Sequence, residues 1–142
     1  MQYRIVYVGA ALTNASSTLR QAIPAFKQLL RDRTDSIVLR WVGTDITIGE
    51  GFYQRDLGNV QMCDFMIAIV DEPSIGLGME LGQAISEGKP TLCLYNETSK
   101  ISRMVEAAAK DGLVKLAAYK NIYDAADIAA DFIKKGVSAV NV

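Results

Sequence analysis

The sequence predicts an α/β fold: a flavodoxin-like three-layer sandwich around a five-stranded parallel sheet. Three observations predict it. Apolar runs of strand length alternate with amphipathic stretches of helix length along the whole chain. The run Asp64 to Val70 (DFMIAIV) is apolar without alternation, as in a strand covered on both faces. Glycine, proline and aspartate mark changes of element at Gly43, Gly51, Gly88, Pro90 and Asp111-Gly112. Right-handed crossovers then stack helices on both faces of the sheet.

Taken in order, Tyr3 to Gly9 reads as a buried strand ending at a glycine. Ser16 or Ser17 caps a helix reaching about Arg33, with Leu19, Ile23, Phe26 and Leu30 on one face. Pro24 within it should kink the helix or mark a late start. Ser36 to Val42 is the second strand and Gly43 to Gly51 a polar loop. Phe52 to Met62 is a helix, and Asp64 to Val70 the third strand. After the loop DEPSIG, a helix runs from about Gly78 to Glu87 and stops at Gly88, with Pro90 beyond it. Thr91 to Tyr95 is strand four, Ile101 to Lys110 a helix, Leu113 to Ala118 strand five, Ala125 to Lys135 the last helix and Gly136 to Val142 a tail.

The 142 residues suit one domain, half of them apolar and 22% charged. A net charge of -1 without basic clusters argues against nucleic acid as a partner. No apolar run is long enough for a membrane span, and strand-like sequence from Tyr3 leaves no room for a secretory signal, so a cytoplasmic protein is expected. Cys63 and Cys93 read as buried thiols. The absence of histidine excludes Ser-His-Asp and Cys-His triads and the common histidine zinc sites. No metal or cofactor is expected, and any catalysis must come from carboxylates, hydroxyls, Tyr, Lys or Arg.

In such folds ligands bind beyond the carboxyl ends of the strands where strand order reverses, here between strands one and three. Their following loops are Gly9 to Asn14 and Asp71 to Gly78. In Ser74-Ile75-Gly76-Leu77-Gly78, glycines allow close backbone approach, and the serine and the helix start offer donors. This is either a phosphate or sugar cradle or a tight turn into a helix. Glu80 is expected in that helix's first turn, where an acid stabilises the dipole and is itself kept ionised, as a nucleophile requires. Asp56 is a second acid, and glycosyl transfer uses two; alone it also reads as a surface residue paired with Arg55. Tyr7 is core or, near its strand's end, within reach of the crevice. Trp41 is core or a platform for a base.

Together these residues resemble the nucleoside 2-deoxyribosyltransferase family. Three blocks carry the resemblance: Tyr7-Val8-Gly9-Ala10; Tyr53-x-x-Asp56-Leu57 followed by Asp64; and Gly76-Leu77-Gly78-Met79-Glu80-Leu81-Gly82 with Ala84 and Gly88-Lys89. It covers about residues 3 to 110. The resemblance implies that Glu80 attacks the anomeric carbon and forms a glycosyl ester, that Asp56 supplies or relays a proton to the departing base and that Tyr7 orients Glu80. It also implies homodimers or larger assemblies with shared active sites. The Pro73-Ser74-x-Gly-x-Gly form and Ser102 resemble the 2'-deoxynucleoside 5'-phosphate N-hydrolase branch, which implies a nucleoside 5'-monophosphate rather than a nucleoside as substrate. Gly9, Ala10, Ser74, Gly76, Gly78, Ser102 and Met104 then become the substrate-binding candidates. The first loop lacks a basic residue, leaving phosphate charge to N–H groups, hydroxyls and Arg20 or Arg103.

Overall fold

A computed structural model describes residues 4–12, 14–39 and 51–140, the side chains of 137–140 excepted. The elements alternate as β1 (Arg4–Ala10), α1 (Ser17–Arg33), β2 (Ser36–Val38), α2 (Phe52–Met62), β3 (Phe65–Ile69), α3 (Ile75–Ser86), β4 (Thr91–Asn96), α4 (Arg103–Lys110), β5 (Lys115–Tyr119) and α5 (Ile122–Val140). The five strands form one sheet in the order β2-β1-β3-β4-β5. Every pairing is parallel, with Gly9 opposite Ala68 and Ala68 opposite Cys93. The order reverses between β1 and β3, so their C-terminal loops flank the crevice as expected.

Strand alternation divides the core. Val6, Val8 and Ala10 point toward α1 and α5, where they join Ile23, Phe26, Leu30, Ala129 and Ile133. Tyr7, Met66, Ala68 and Cys93 point the other way, into the layer of Val60, Leu77, Leu81 and Ala84. One face of the sheet is thus mainly aliphatic and aromatic packing, whereas the other carries the tyrosine and the acids described below. Asp64 fastens the start of β3 to β1: its carboxylate accepts the Ile5 N–H at 2.8 Å, and its own N–H donates to the Ile5 carbonyl at 2.7 Å.

Several boundaries differ from expectation. Pro24 does not delay α1, which is helical from Ser17 to Arg33. The proline is exposed, where water can replace the backbone bond it removes. β2 is described only to Val38, although the Leu39 N–H extends the ladder to the Val6 carbonyl at 2.9 Å. Trp41 and most of the 43–51 loop lie outside the described residues. α3 begins at Ile75 rather than Gly78, because the Ser74 hydroxyl accepts the Leu77 N–H at 3.2 Å and caps it. α5 starts at Ile122 and runs through Gly136 to Val140, where a tail was expected.

Gly136 is helical for a packing reason. A Cβ there would lie 2.4 Å from Cε1 of Phe65, a buried ring that also meets Phe132 edge-on with centroids 6.1 Å apart. Gly136→Ala should therefore destabilise the protein by about 1–3 kcal/mol despite alanine's better helix propensity. Chemical denaturation checks this; a rise in stability would show that the Phe65 ring yields freely.

Candidate functional site

The central feature lies on α3. Its inward stripe is Leu77, Glu80, Leu81 and Ala84, spaced i, i+3, i+4 and i+7. Glu80 therefore occupies a core position and is 6% exposed. It is not in the helix's first turn, which holds no acid. The expected support from the helix dipole thus does not apply, since that field fades beyond the first turn. Burial dominates instead and pushes the Glu80 carboxyl up to about 7; a Tyr7 hydrogen bond opposes the rise and the charge of Asp56 adds to it. Its Oε2 is buried without a hydrogen-bond partner.

Tyr7 reaches this point from β1, and Asp56 from α2, on the same helix face as the buried Val60. The Tyr7 hydroxyl donates to Asp56 Oδ1 at 3.5 Å, and the Glu80 carboxyl is close enough to act on it. Burial raises the Asp56 carboxyl above its ordinary value, with the Tyr7 bond partly offsetting it. Tyr7 itself is held neutral, foremost by burial and then by the charge of Glu80. The three residues expected to act together are thus brought together, and Asp56 is half-buried rather than a surface partner of Arg55. Of the three, Glu80 is the group that exchanges its proton near neutrality, while the phenol stays neutral.

The substrate-binding candidates fall into groups. Gly9 is buried, and a Cβ there would lie 2.9 Å from Leu77 Cδ1 and 3.2 Å from Met66 Cε. Its role in the structure is to let α3 approach the sheet. Ala10 turns its side chain into the α1–α5 core, leaving only its backbone at the crevice. Gly76 and Gly78 are helical residues of α3, not parts of a turn, and neither has positive φ. The cradle is therefore the capped start of a helix. Ser74 and Gly76 line a cleft of about 380 Å³ with Ala11, Leu12 and Asn14. Ser74 and Gly78 also line a larger, mainly apolar cleft of about 740 Å³ between α3 and α4, where Ser102 and Met104 sit. Neither cleft is lined by Tyr7, Asp56 or Glu80.

Ser74 and Ser102 share one design. Each is an N-cap whose oxygen accepts a backbone N–H, from Leu77 at 3.2 Å and from Met104 at 3.1 Å. The cap uses a lone pair and leaves the hydroxyl proton free to donate. Arg20 donates to the Leu12 carbonyl at 2.8 Å, which sets its guanidinium beside the wall of the smaller cleft.

Two acids of the DEPSIG loop were not singled out from sequence. Glu72 accepts the Ser16 N–H at 2.8 Å and the Ser16 hydroxyl at 2.6 Å, joining the start of α1 to the loop before α3. Asp71 accepts from the Asn96 N–H and the Tyr119 hydroxyl, tying the ends of β3, β4 and β5. Their only sequence signal was a place just after a central strand. For Glu80, a sharper signal was available: its spacing from Leu77 and Ala84 puts it on an apolar helix seam. Among the described residues no group of His, Cys, Asp and Glu could hold a metal ion.

The sign of the Glu80 shift makes a stability prediction. Because the folded pKa is raised, the native state holds the proton that the unfolded chain has lost between 4.5 and about 7. Native stability therefore falls as pH rises through that window, by up to about 3 kcal/mol for the full shift. Glu80→Gln removes this dependence. Its stability relative to the unsubstituted protein should grow between about pH 5 and about pH 8 in urea titrations. The same difference at both pH values would mean that Glu80 ionises without cost in the fold.

Comparison with known proteins places this geometry. The family model described as nucleoside 2-deoxyribosyltransferase matches residues 12–117. A rat protein named 5-hydroxymethyl-dUMP N-hydrolase is 34% identical over 87 residues, which are 59% of this chain and 53% of the rat protein. The match thus spans about half the length of that relative. A protein of the same name from Esox lucius is 33% identical over 104 residues, 70% of this chain and 72% of its own. Among solved structures, a CMP N-glycosidase from Clostridium botulinum superposes with a TM-score of 0.69 at 17% identity, covering 89% of this chain and 97% of its own. That likeness establishes the shared fold. With a family model covering most of its length, and with the tyrosine and two acids of its crevice gathered at one point, the chain belongs to the nucleoside 2-deoxyribosyltransferase family.

Proposed function

We propose that this protein is an N-glycosidase that hydrolyses the base–sugar bond of (deoxy)nucleoside 5'-monophosphates. The observation that carries the reading is the buried Tyr7–Asp56–Glu80 cluster. A Glu80 oxygen attacks C1' of the sugar. The C1'–N bond breaks, its electron pair stays on the base, and the base takes a proton from Asp56. Water then attacks C1' and gives a proton to the Asp56 carboxylate. The C1'–O bond breaks, returning its electron pair to Glu80. A nucleophile that ionises near neutrality and a second acid whose carboxyl is raised by burial suit this division of work.

The names of the relatives support a monophosphate substrate. The hydroxyl protons of Ser74 and Ser102, the backbone of Gly9 and Ala10, and the helix start at Gly76 and Gly78 form the binding side of this proposal. Met104 adds apolar contact. The apolar side of α4 supports a homodimer or larger assembly with a shared active site: Met104 is 79% exposed and α4 buries no residue. No helix among the described residues is long and apolar enough to cross a membrane. Both cysteines are buried and free, in keeping with a cytoplasmic setting.

One incubation series tests the activity. Each deoxynucleotide and deoxynucleoside is supplied with and without a free acceptor base. Base should be released from monophosphates, and Glu80→Ala should lower the rate on the order of 10³-fold or more. Base exchange on unphosphorylated nucleosides would replace this reading with a deoxyribosyltransferase. Binding without turnover would leave a nucleotide sensor. For the active enzyme, kcat/KM should fall as pH drops through about 7, where Glu80 takes up its proton. A flat profile through that pH would remove Glu80 from the chemical step.

A further inference from the structure

Adjacent acids hold the loop between β3 and α3 to its neighbours. Asp71 accepts from the Asn96 N–H and the Tyr119 hydroxyl, at the ends of β4 and β5. Glu72 reaches α1 instead and grips Ser16 at two points: Oε1 accepts the backbone N–H at 2.8 Å, and Oε2 accepts the hydroxyl at 2.6 Å. Ser16 is the N-cap of α1, its oxygen also accepting the Leu19 N–H at 3.2 Å. α1 has no acid in its own first turn, so Glu72 supplies the negative charge that the start of a helix favours. Hydrogen bonds to an ionised acceptor are roughly twice as strong as neutral ones.

This grip closes a frame around the smaller cleft. Leu12 and Asn14 of the first loop form one wall, and the stretch from Pro73 to Gly76 forms the other. Ser16 lies just beyond the first wall and Glu72 just before the second. At the base of the walls, β1 and β3 are paired up to Ala10 and Ile69. Pro73 transmits the grip to Ser74: its ring fixes its own φ and restricts the residue before it, so Glu72 and Ser74 are stiffly related. The Ser74 hydroxyl, already set by the Leu77 N–H, therefore depends for its place on the Glu72 carboxylate as well. Building on the N-glycosidase reading, we infer that Glu72 is a positioning residue for the monophosphate. Its grip on Ser16 sets the width of this cleft, and with it the place of the Ser74 hydroxyl against the phosphate. The carboxylate stands near an anion without repelling it strongly, because the Ser16 donors and the start of α1 offset its charge.

Three substitutions separate grip from charge. Glu72→Asp keeps the charge but is one methylene too short to keep both bonds. Glu72→Gln keeps the length and one acceptor oxygen, and Glu72→Ala loses both. Calorimetric titration with each 2'-deoxynucleoside 5'-monophosphate needs no turnover, and is made where thermal unfolding shows every variant folded. Binding should weaken about tenfold in Glu72→Asp and Glu72→Ala, and less in Glu72→Gln. In steady-state kinetics the same loss should fall on KM, with kcat changed by no more than about twofold. Tighter binding in Glu72→Gln and Glu72→Ala, with Glu72→Asp unchanged, would show that only the charge acts on the ligand and would overturn the inference. Lower stability with unaltered binding and KM would overturn it too, leaving the contact a purely structural one. If the unsubstituted protein bound monophosphates but released no base from them, the N-glycosidase reading would fall, while the titrations would still decide the role of Glu72.

Discussion

A carboxylate on the apolar seam of a helix is the constraint around which the rest of this molecule is arranged. Glu80 takes a position that Leu77, Leu81 and Ala84 would make purely hydrophobic. Desolvation of a charge there is costly, and the structure offers limited compensation: a shared tyrosine hydroxyl and no partner at Oε2. Everything near it serves to hold that position. Gly9 lacks the Cβ that would collide with Leu77, so α3 can lie close on the sheet. Asp64 pins the start of β3 to β1, and β1 delivers Tyr7. A less confined carboxylate would ionise more easily but would be a weaker, hydrated nucleophile.

The two faces of the sheet divide labour. The α1–α5 side is closed by Phe26, Leu30, Ala129 and Ile133 and by the Arg33–Asp127 ion pair at 3.4 Å. That pair is partly exposed and contributes little. The opposite side carries all three reactive groups and the cleft between α3 and α4. There α4 buries none of its residues in the isolated chain. Stability is concentrated on one face, and the other is left adaptable.

The sequence shows the architecture clearly because strand and helix periods are local. Five apolar runs and five amphipathic stretches sufficed for the parallel sheet and for the crevice between strands one and three. Boundaries were less legible where a tertiary contact decided them. The start of α3 depended on the Ser74 cap, and the glycine within α5 answers to the Phe65 ring packed against it. The same error at α3 misplaced Glu80 electrostatically: the sequence reading supplied an ionising helix dipole where the fold supplies a neutralising apolar wall. The Glu72–Ser16 contact joins residues 56 apart and could not be read from local pattern. Proximity of Tyr7, Asp56 and Glu80 was suggested by resemblance, and needed coordinates to be seen.

The glycines of α3 have a further consequence. Gly76, Gly78 and Gly82 make three glycines in twelve residues, and a Cβ at Gly78 or Gly82 would meet nothing within 4 Å. Interior glycines weaken a helix by about 1 kcal/mol each relative to alanine. The helix carrying the nucleophile therefore has little intrinsic tendency to be helical and is held mainly by its cap and seam. Ionisation of Glu80 strains that seam. Acid and helix thus form one local opening unit: raising the pH loosens α3 before the sheet, so its amide hydrogens exchange with solvent through partial opening while those of β1 and β3 await global unfolding.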